Sequence, residues 1–123
     1  MTDGGKMTDS LQDLRIRINS FVSERDWAQF HTPKNLAMAM IVEAAELVEH
    51  FQWDTPADSQ HLSTGKREAV AHELADTFVY LLRIAEVLEI DLIRAANEKI
   101  DLNAKKYPVD KAKGSNAKYT KYT

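Results

Sequence analysis

The chain has 123 residues, of which 44% are apolar and 28% are charged, and its formal net charge is −3. These values are typical of one folded domain and exclude a disordered polar chain. The sequence has no cysteine, which excludes disulfides and thiolate metal sites. The small negative charge gives no general attraction to nucleic acid polymers.

The first ten residues are polar and lack the apolar stretch of a signal peptide. No apolar run is long enough to cross a bilayer. We therefore expect a cytoplasmic protein without a membrane partner. A single domain is expected to span 1–123, with flexible or irregular tails at 1–9 and at about 109–123.

Two helices are predicted in the first half of the chain. The first runs from about Ser10 to Trp27, because its apolar residues recur at helical spacing, and Asp9 or Ser10 is expected to cap it. The second begins at Thr32-Pro33, where a capping hydroxyl precedes a proline in the first turn. This helix is predicted to continue to about Trp53.

Two further helices follow a loop whose composition, from Asp54 to Gly65, is rich in turn-forming residues. They are predicted at about 66–88 and 92–106, and Tyr107-Pro108 ends the second of them. Short connections between consecutive helices favour an antiparallel four-helix bundle. The predicted fold is therefore all-α, and a chain of this size is expected to complete its burial by oligomerising.

The second helix is apolar almost all round and yet contains two acids. With about 100° of rotation per residue, apolar side chains surround Glu43 and Glu46, which are three residues apart and therefore share a face. Glu73 and Asp76 repeat this spacing on the third helix. A helix with apolar residues on every side is expected to lie centrally in its fold, so two acidic pairs are predicted to face the interior of the bundle.

Buried carboxylates require protonation, a basic partner or a cation. The two helices supply few basic side chains near these acids, and four oxygen donors without cysteine point to a hard cation, with Mg²⁺ as the expected ion. An E-x-x-E pair alone is more often a solvated helix face. A di-iron bundle would need Glu-x-x-His motifs, and no histidine in the sequence lies three residues after a glutamate.

Lysines are concentrated near the carboxyl end, with seven of them from Lys99 onward. Lys99, Asn103 and Lys106 share a helix face and fit a phosphate-binding role, although a solvated basic helix end explains Lys106 equally well. Lys34 lies at a helix start, where a cation is disfavoured unless an anion is close.

Several motifs occur together in an informative order. They are Glu24–Leu36, Glu43-Ala44-Ala45-Glu46-Leu47, Phe51-Gln52-Trp53, Glu73-Leu74-Ala75-Asp76, Asp101-x-Asn103, Lys106-Tyr107-Pro108-Val109, Gly114-Ser115 and Lys118-Tyr119-Thr120. With this set, the chain from about Leu11 to Thr120 resembles the all-α nucleoside triphosphate pyrophosphohydrolases, the MazG-like superfamily, and within it the dCTP pyrophosphatase branch.

The resemblance implies a function and a site. Glu43, Glu46, Glu73 and Asp76 would bind Mg²⁺ and serve catalysis, while a nucleoside triphosphate, expected to be dCTP or a modified dCTP, would be cut to monophosphate and pyrophosphate. The implied nucleotide pocket includes Trp27, Gln29, Phe30, His31, Trp53 and Tyr80; from the residues alone, core packing is an equal alternative for the two tryptophans. The resemblance also implies a homotetramer, a dimer of dimers.

Two positions depart from the wider pattern. Val42 precedes Glu43 where the general MazG motif has adjacent glutamates, which favours the dCTP pyrophosphatase branch. Ile18 stands where vertebrate members of that branch have a histidine. The leading hypothesis is thus a nucleotide-pool house-cleaning enzyme, and the alternative is a helical module that senses nucleotides or binds partners without catalysis.

Overall fold

A computed structural model describes residues 10–122. Asp9, the alternative cap of the first helix, and the rest of the expected tail at 1–9 lie outside the described residues. The helices are α1 (Leu11–Glu24), α2 (Pro33–Glu49), α3 (Thr64–Val87), α4 (Leu92–Lys106) and α5 (Val109–Ala112). Residues 10–122 contain no strand, which confirms the all-α prediction. None of their helices is long and apolar enough to cross a membrane.

Each of the four long helices is preceded by a capping residue whose side chain accepts a hydrogen bond from a backbone N–H of the first turn. The donor–acceptor distances are 3.0–3.2 Å, and the caps are Ser10, Thr32, Ser63 and Asp91. Such caps satisfy N–H groups that have no partner within the helix, which fixes where it starts. The predicted starts at Ser10 and at Thr32-Pro33 are confirmed.

Two helices end earlier than the sequence predicts. The first stops at Glu24 because the chain turns through Asp26, whose φ of 54° is left-handed. The second stops at Glu49 rather than near Trp53, and the following residues form turns. Lys66 Nζ on α3 binds Asp54 Oδ2 at 2.8 Å, which ties this turn to the start of α3.

The carboxyl-terminal segment is more regular than predicted. It contains α5 and a 3₁₀ turn at Tyr119–Lys121. The ring of Tyr107 meets those of Tyr119 and Tyr122 edge to face, with centroids 5.9 and 6.0 Å apart. A four-residue helix is too short to show apolar periodicity in the sequence, which explains why this segment was expected to be irregular.

The chain forms two compact units, Met1–Glu89 and Ile90–Thr123. In the described part of the first unit, α3 packs along α2 and also contacts α1. The buried apolar side chains of this unit are Ile18, Val22, Leu36, Val70, Leu82 and Ala85. This core is small, and it holds the two acidic helices side by side.

Much of the apolar surface of helix α2 is left uncovered by the other residues of the described range, 10–122. Leu36 is buried, but four other apolar side chains are more than half exposed: Met38, Ile41, Val42 and Val48. Exposed apolar surface of this extent is typical of a face that packs against another protein surface. Within residues 10–122, α2 therefore does not have the fully central position that its sequence predicts.

Candidate active site

The acidic pairs of α2 and α3 face each other, as their spacing predicts. Glu43, Glu73 and Asp76 each offer one carboxylate oxygen, and these oxygens lie within 4.8 Å of one another. Oxygens bound to one Mg²⁺ lie at most about 4.2 Å apart, since each is about 2.1 Å from the ion. Small side-chain rotations are therefore sufficient for these acids to share a cation.

Glu46 belongs to the same cluster through its neighbours. Its side chain is within hydrogen-bonding reach of both Glu43 and Glu73, so the acids can share a proton. The hydrogen bond with Glu46, burial and the nearby negative charges raise the pKa of Glu43 to about 7. Burial, followed by Glu46, raises the pKa of Glu73. The acids thus occupy a region with an excess of negative charge.

One oxygen of this cluster has no hydrogen-bond partner among residues 10–122. Glu73 Oε2 is buried and unpaired within the described residues, while Glu73 Oε1 lies 3.9 Å from His50 Nε2. An unpaired buried carboxylate oxygen is costly, and a bound cation would remove that cost. The set of donors, all carboxylates, suits a hard divalent ion.

A cavity of about 410 Å³ adjoins the acidic cluster. Glu43 and Asp76 contribute to its wall, and most of the other lining side chains are apolar or aromatic. The remaining lining residues are Leu14, Arg17, Ile18, Phe21, Val22, Trp27, His31, Val79, Tyr80 and Arg83. This size and lining are typical of a small-molecule site. Phe21 and Trp27 pack edge to face with centroids 5.6 Å apart.

Three of the residues that line the cavity lie along one face of α3. Asp76, Tyr80 and Arg83 follow one another at spacings of four and three residues, so they share one face of the helix. With a rise of about 1.5 Å per residue, Arg83 lies about 10 Å along the axis from Asp76. The lining therefore changes along the helix from acidic at Asp76 to basic at Arg83.

A chain of hydrogen bonds fixes the basic end of the cavity. Arg83 is buried; its Nε donates to His31 Nδ1 at 3.2 Å and its Nη1 donates to Asn19 Oδ1 at 2.8 Å. Asn19 Nδ2 donates to Glu86 Oε1 at 3.2 Å, and Glu86 also accepts from Arg15. Burial, and then the charge of Arg83, lower the pKa of His31. The histidine is therefore held in a neutral state.

The structure brings some of the predicted pocket residues together. Trp27, His31 and Tyr80 line the cavity. Gln29 instead donates its side-chain amide to Asp26. The other three candidates of this unit are exposed and do not line the cavity: Phe30, Lys34 and Trp53.

The remaining candidates lie in the second unit. Lys99, Asn103 and Lys106 are exposed on α4. The Lys106 ammonium group lies 5.2 Å from the centre of the Tyr119 ring, a cation–π contact. The phosphate-binding role of these three residues stays a prediction.

Several lining residues were not found from the sequence. Arg17 and Arg83 provide the basic side chains of the wall. The spacing of Asp76, Tyr80 and Arg83 was a usable signal for Arg83, because it places the arginine on the same face as a predicted ligand. The apolar residues of α1 that line the cavity carry no such signal, since their pattern is that of any amphipathic helix.

The chain is similar in sequence to proteins of a known family. The sequence profile of the MazG-like family matches residues 38–121. Over 113 residues the chain is 42% identical to dCTP pyrophosphatase 1 of Rattus norvegicus and of Mus musculus, and 41% identical to that of Homo sapiens. Each alignment covers 90% of this chain and 66% of the relative, so the chain spans slightly less than two thirds of those proteins.

A solved structure is also similar. The crystal structure of a pyrophosphatase from Archaeoglobus fulgidus superimposes with a TM-score of 0.73 at 36% sequence identity, covering 84% of this chain and 99% of that one. The family's matched region includes all four acids of the cluster and the whole of α3. The chain belongs to the MazG-like family.

Proposed function

We propose that the protein hydrolyses a deoxynucleoside triphosphate, dCTP or a modified dCTP, to the monophosphate and pyrophosphate, as part of nucleotide-pool house-cleaning in the cytoplasm. The observation that carries this proposal is a four-acid cluster, with an unpaired buried oxygen on Glu73, at one end of an apolar cavity. The similarity to proteins named dCTP pyrophosphatase 1 supports both the reaction and the substrate.

The acids fit a divalent cation, and Mg²⁺ is the ion proposed. Glu43, Glu73 and Asp76 would bind it directly, with Glu46 beside them. A bound Mg²⁺ would neutralise phosphate charge and lower the pKa of a coordinated water. Raised carboxyl pKa values without metal indicate that the cluster is short of positive charge, and this deficit supports the assignment.

The cavity is proposed as the site of the nucleoside. Trp27 and Tyr80 offer aromatic faces for the base, since stacking on an aromatic ring is favourable for any base. With the base in the cavity, the α-phosphate is expected near Asp76. Water then forms a bond to the α-phosphorus, the bond from that phosphorus to the bridging oxygen breaks, and pyrophosphate leaves.

Other side chains are proposed to contact the substrate, some because of their charge and spacing and some because of the family resemblance. Lys34, Lys99, Asn103 and Lys106 would bind phosphate oxygens, since ammonium and amide groups are suitable donors to an anion. Gln29, Phe30 and Trp53 are proposed as further parts of the nucleotide site. Each is exposed in the structure and thus accessible to a ligand.

We also propose that the chain assembles as a homotetramer, a dimer of dimers. The exposed apolar side chains of α2, together with Leu74 and Phe78 of α3, support a protein partner for this surface. Light scattering coupled to size-exclusion chromatography should give about four times the monomer mass. Val42→Glu should lower that mass by placing a charge in an apolar contact.

The experiment that tests the function compares two matched glutamate variants. Glu73→Gln should abolish pyrophosphate release from dCTP with Mg²⁺, whereas Glu49→Gln, an exposed acid of α2 outside the cluster, should retain it. Circular dichroism should show both variants folded. Full activity of Glu73→Gln would remove the site assignment. Stabilisation by nucleotide without any product from the unaltered protein would instead favour a non-catalytic sensor.

A further inference from the structure

The hydrogen-bonding state of the His31 side chain, which lines the cavity, is fixed by its neighbour Arg83. An arginine guanidinium stays protonated in proteins, so its Nε can only donate a hydrogen bond. Arg83 Nε donates to His31 Nδ1 at 3.2 Å. His31 Nδ1 must therefore present a lone pair, and the proton of a neutral imidazole then resides on Nε2.

We propose that Arg83 is a positioning residue that holds His31 as the Nε2-protonated tautomer, so that this histidine can only donate a hydrogen bond to the base of the substrate. The inference rests on the proposed function, because it assigns the base to this cavity. It adds Arg83 to the residues that determine specificity, together with the hydrogen-bonded side chains of Asn19, Glu86 and Arg15 behind it, here called the relay.

The relay gives Arg83 one orientation. The Asn19 amide has a fixed sense because its Nδ2 donates to Glu86 Oε1, which leaves Asn19 Oδ1 to accept from Arg83 Nη1. Glu86 is in turn fixed by Arg15 Nε at 3.0 Å. Every link has one possible donor and one possible acceptor, so the alternative tautomer of His31 would face a second donor across 3.2 Å.

The position of Arg83 argues against a purely structural role. A buried arginine is costly, and its direct side-chain partners within the described residues are an amide oxygen and an imidazole rather than a carboxylate. An apolar residue at this position would avoid that cost. The arginine instead lines the cavity beside His31, where it determines which polar atoms face the ligand.

The wall of the cavity therefore contains both hydrogen-bond donors and acids. Arg17, Arg83 and His31 Nε2 can only donate, and the acceptors Glu43 and Asp76 belong to the metal-binding cluster. A base whose edge carries adjacent acceptors fits such donors. Cytosine presents O2 and N3 together, whereas thymine has an N3–H donor between its two carbonyl groups, which would leave donor facing donor.

The first test is the ring ¹⁵N spectrum of the ligand-free protein near neutral pH, with the His31 signals identified by their loss in His31→Gln. The proposal predicts an unprotonated Nδ1 and a protonated Nε2. An Nδ1-protonated ring, or an imidazolium, would overturn it. This measurement does not depend on activity, so it is independent of the Glu73→Gln test. If the protein has no enzymatic activity, the assigned tautomer of His31 is unaffected. If the enzyme is active but His31 has the other tautomer, only this inference is refuted.

The second test uses two amides that imitate the two ring nitrogens. The Gln side-chain nitrogen extends to about the place of Nε2, and the Asn nitrogen to about that of Nδ1. His31→Gln should keep kcat/KM for dCTP within about tenfold of the unaltered enzyme, while His31→Asn should lose about 100-fold, the usual effect of one hydrogen bond to a buried polar group. Equal activity of the two variants, or the reverse order, would contradict the proposal.

The third test concerns Arg83 itself. Arg83→Met should raise KM for dCTP more than it lowers kcat, and it should reduce the preference for dCTP over 3-deaza-dCTP, which lacks the N3 acceptor. Asn19→Ala, which frees Arg83 without removing it, should change the same preference in the same direction and serves if Arg83→Met does not fold. An unchanged preference in the folded variant would show that Arg83 does not act through His31.

Discussion

His50 Nε2 lies 3.9 Å from Glu73 Oε1, on the side of the carboxylate opposite the buried and unpaired Oε2. His50 follows the last residue of α2, and its contact with Glu73 lowers the pKa of that carboxyl against the larger effects of burial and Glu46, which raise it. The contact therefore favours the ionised form of Glu73, which is the form that a bound cation would require.

The first prediction follows from this contact. His50→Ala should raise the Mg²⁺ concentration needed for half-maximal activity by about tenfold, a typical effect of removing a group that supports a metal ligand. The measurement is a Mg²⁺ titration of pyrophosphate release. His61→Ala, in an exposed loop position, is the matched control and should leave the titration unchanged. A His50→Ala curve that superimposes on the control would contradict the role of this contact.

The second prediction concerns pH. The folded pKa values of Glu43 and Glu73 are raised, to about 7 for Glu43, so the metal-free fold binds protons more readily than the unfolded chain. Their contribution to stability is therefore greatest in mild acid and is lost as pH rises through the folded pKa values. Mg²⁺ competes with those protons. The increase in Tm caused by Mg²⁺ should accordingly grow from pH 5.5 to pH 8.

The comparison that decides this prediction is the Tm with Mg²⁺ minus the Tm with EDTA at each pH. In Glu43→Gln the pH dependence of this difference should be weaker, because one of the titrating ligands is gone. A difference that stays constant across this range in the unaltered protein would argue against a shared acidic site.

The third prediction concerns stability away from the acidic cluster. The hydrogen bond from Arg15, then that from Asn19, lower the pKa of Glu86, while burial opposes them. A lowered carboxyl pKa stabilises the fold above the unfolded pKa, and this contribution is lost as pH falls through the folded value. Glu86→Gln should cost about 1 kcal/mol at pH 7, because the groups are partly exposed.

Urea unfolding of Glu86→Gln at pH 7 and at pH 3 measures this effect, and the difference from the unaltered protein should shrink in acid. Glu98→Gln is a suitable control, since Glu98 pairs with Arg94 on an exposed face of α4 and should contribute at most about 0.5 kcal/mol. Equal destabilisation by the two variants would show that the hydrogen bonds of Glu86 contribute no more to stability than an exposed ion pair does.

Much of the site was predictable from spacing, and the parts that were not have a physical reason. The acidic pairs lie in apolar helices, where a carboxylate is costly unless it binds something, and this cost predicted a site. The structure brings Glu43, Glu73 and Asp76 together in one cluster. The spacing from Asp76 places Arg83 on the site's face of α3, but its hydrogen bonds to His31 and Asn19 were not predictable, because these partners are 52 and 64 residues away in the chain. Such contacts depend on how the helices pack, which no local pattern encodes.

For the helix boundaries too, local features were predictable from the sequence and tertiary contacts were not. The caps at Ser10 and Thr32 are local hydrogen bonds and were predicted correctly. The end of α2 was placed too late, because Phe51-Gln52-Trp53 is apolar enough to extend a helical pattern. The ion pair between Asp54 in the turn and Lys66 on α3 joins two different elements, so the local sequence pattern around α2 does not predict it.

The fourth prediction concerns Glu89, the second residue after the end of α3. Glu89 has a φ of 56°, a left-handed conformation that glycine adopts without steric strain. Glu89→Gly should stabilise the protein by about 0.5 kcal/mol, since relief of the strain exceeds the extra flexibility of the unfolded chain. Chemical denaturation measures the gain. Glu89→Ala retains the β-carbon and should show no such gain; equal gains would attribute the effect to loss of the charge.

The most direct test of the central claim is hydrolysis of dCTP in H₂¹⁸O with Mg²⁺, followed by mass spectrometry of both products. The proposed reaction predicts one ¹⁸O in dCMP, none in pyrophosphate, and no product when EDTA replaces Mg²⁺. Label in pyrophosphate would mean attack on the β-phosphorus, and release of dCDP with orthophosphate would mean cleavage at the γ-phosphate. Either result would contradict the function proposed for the acidic cluster and its cavity.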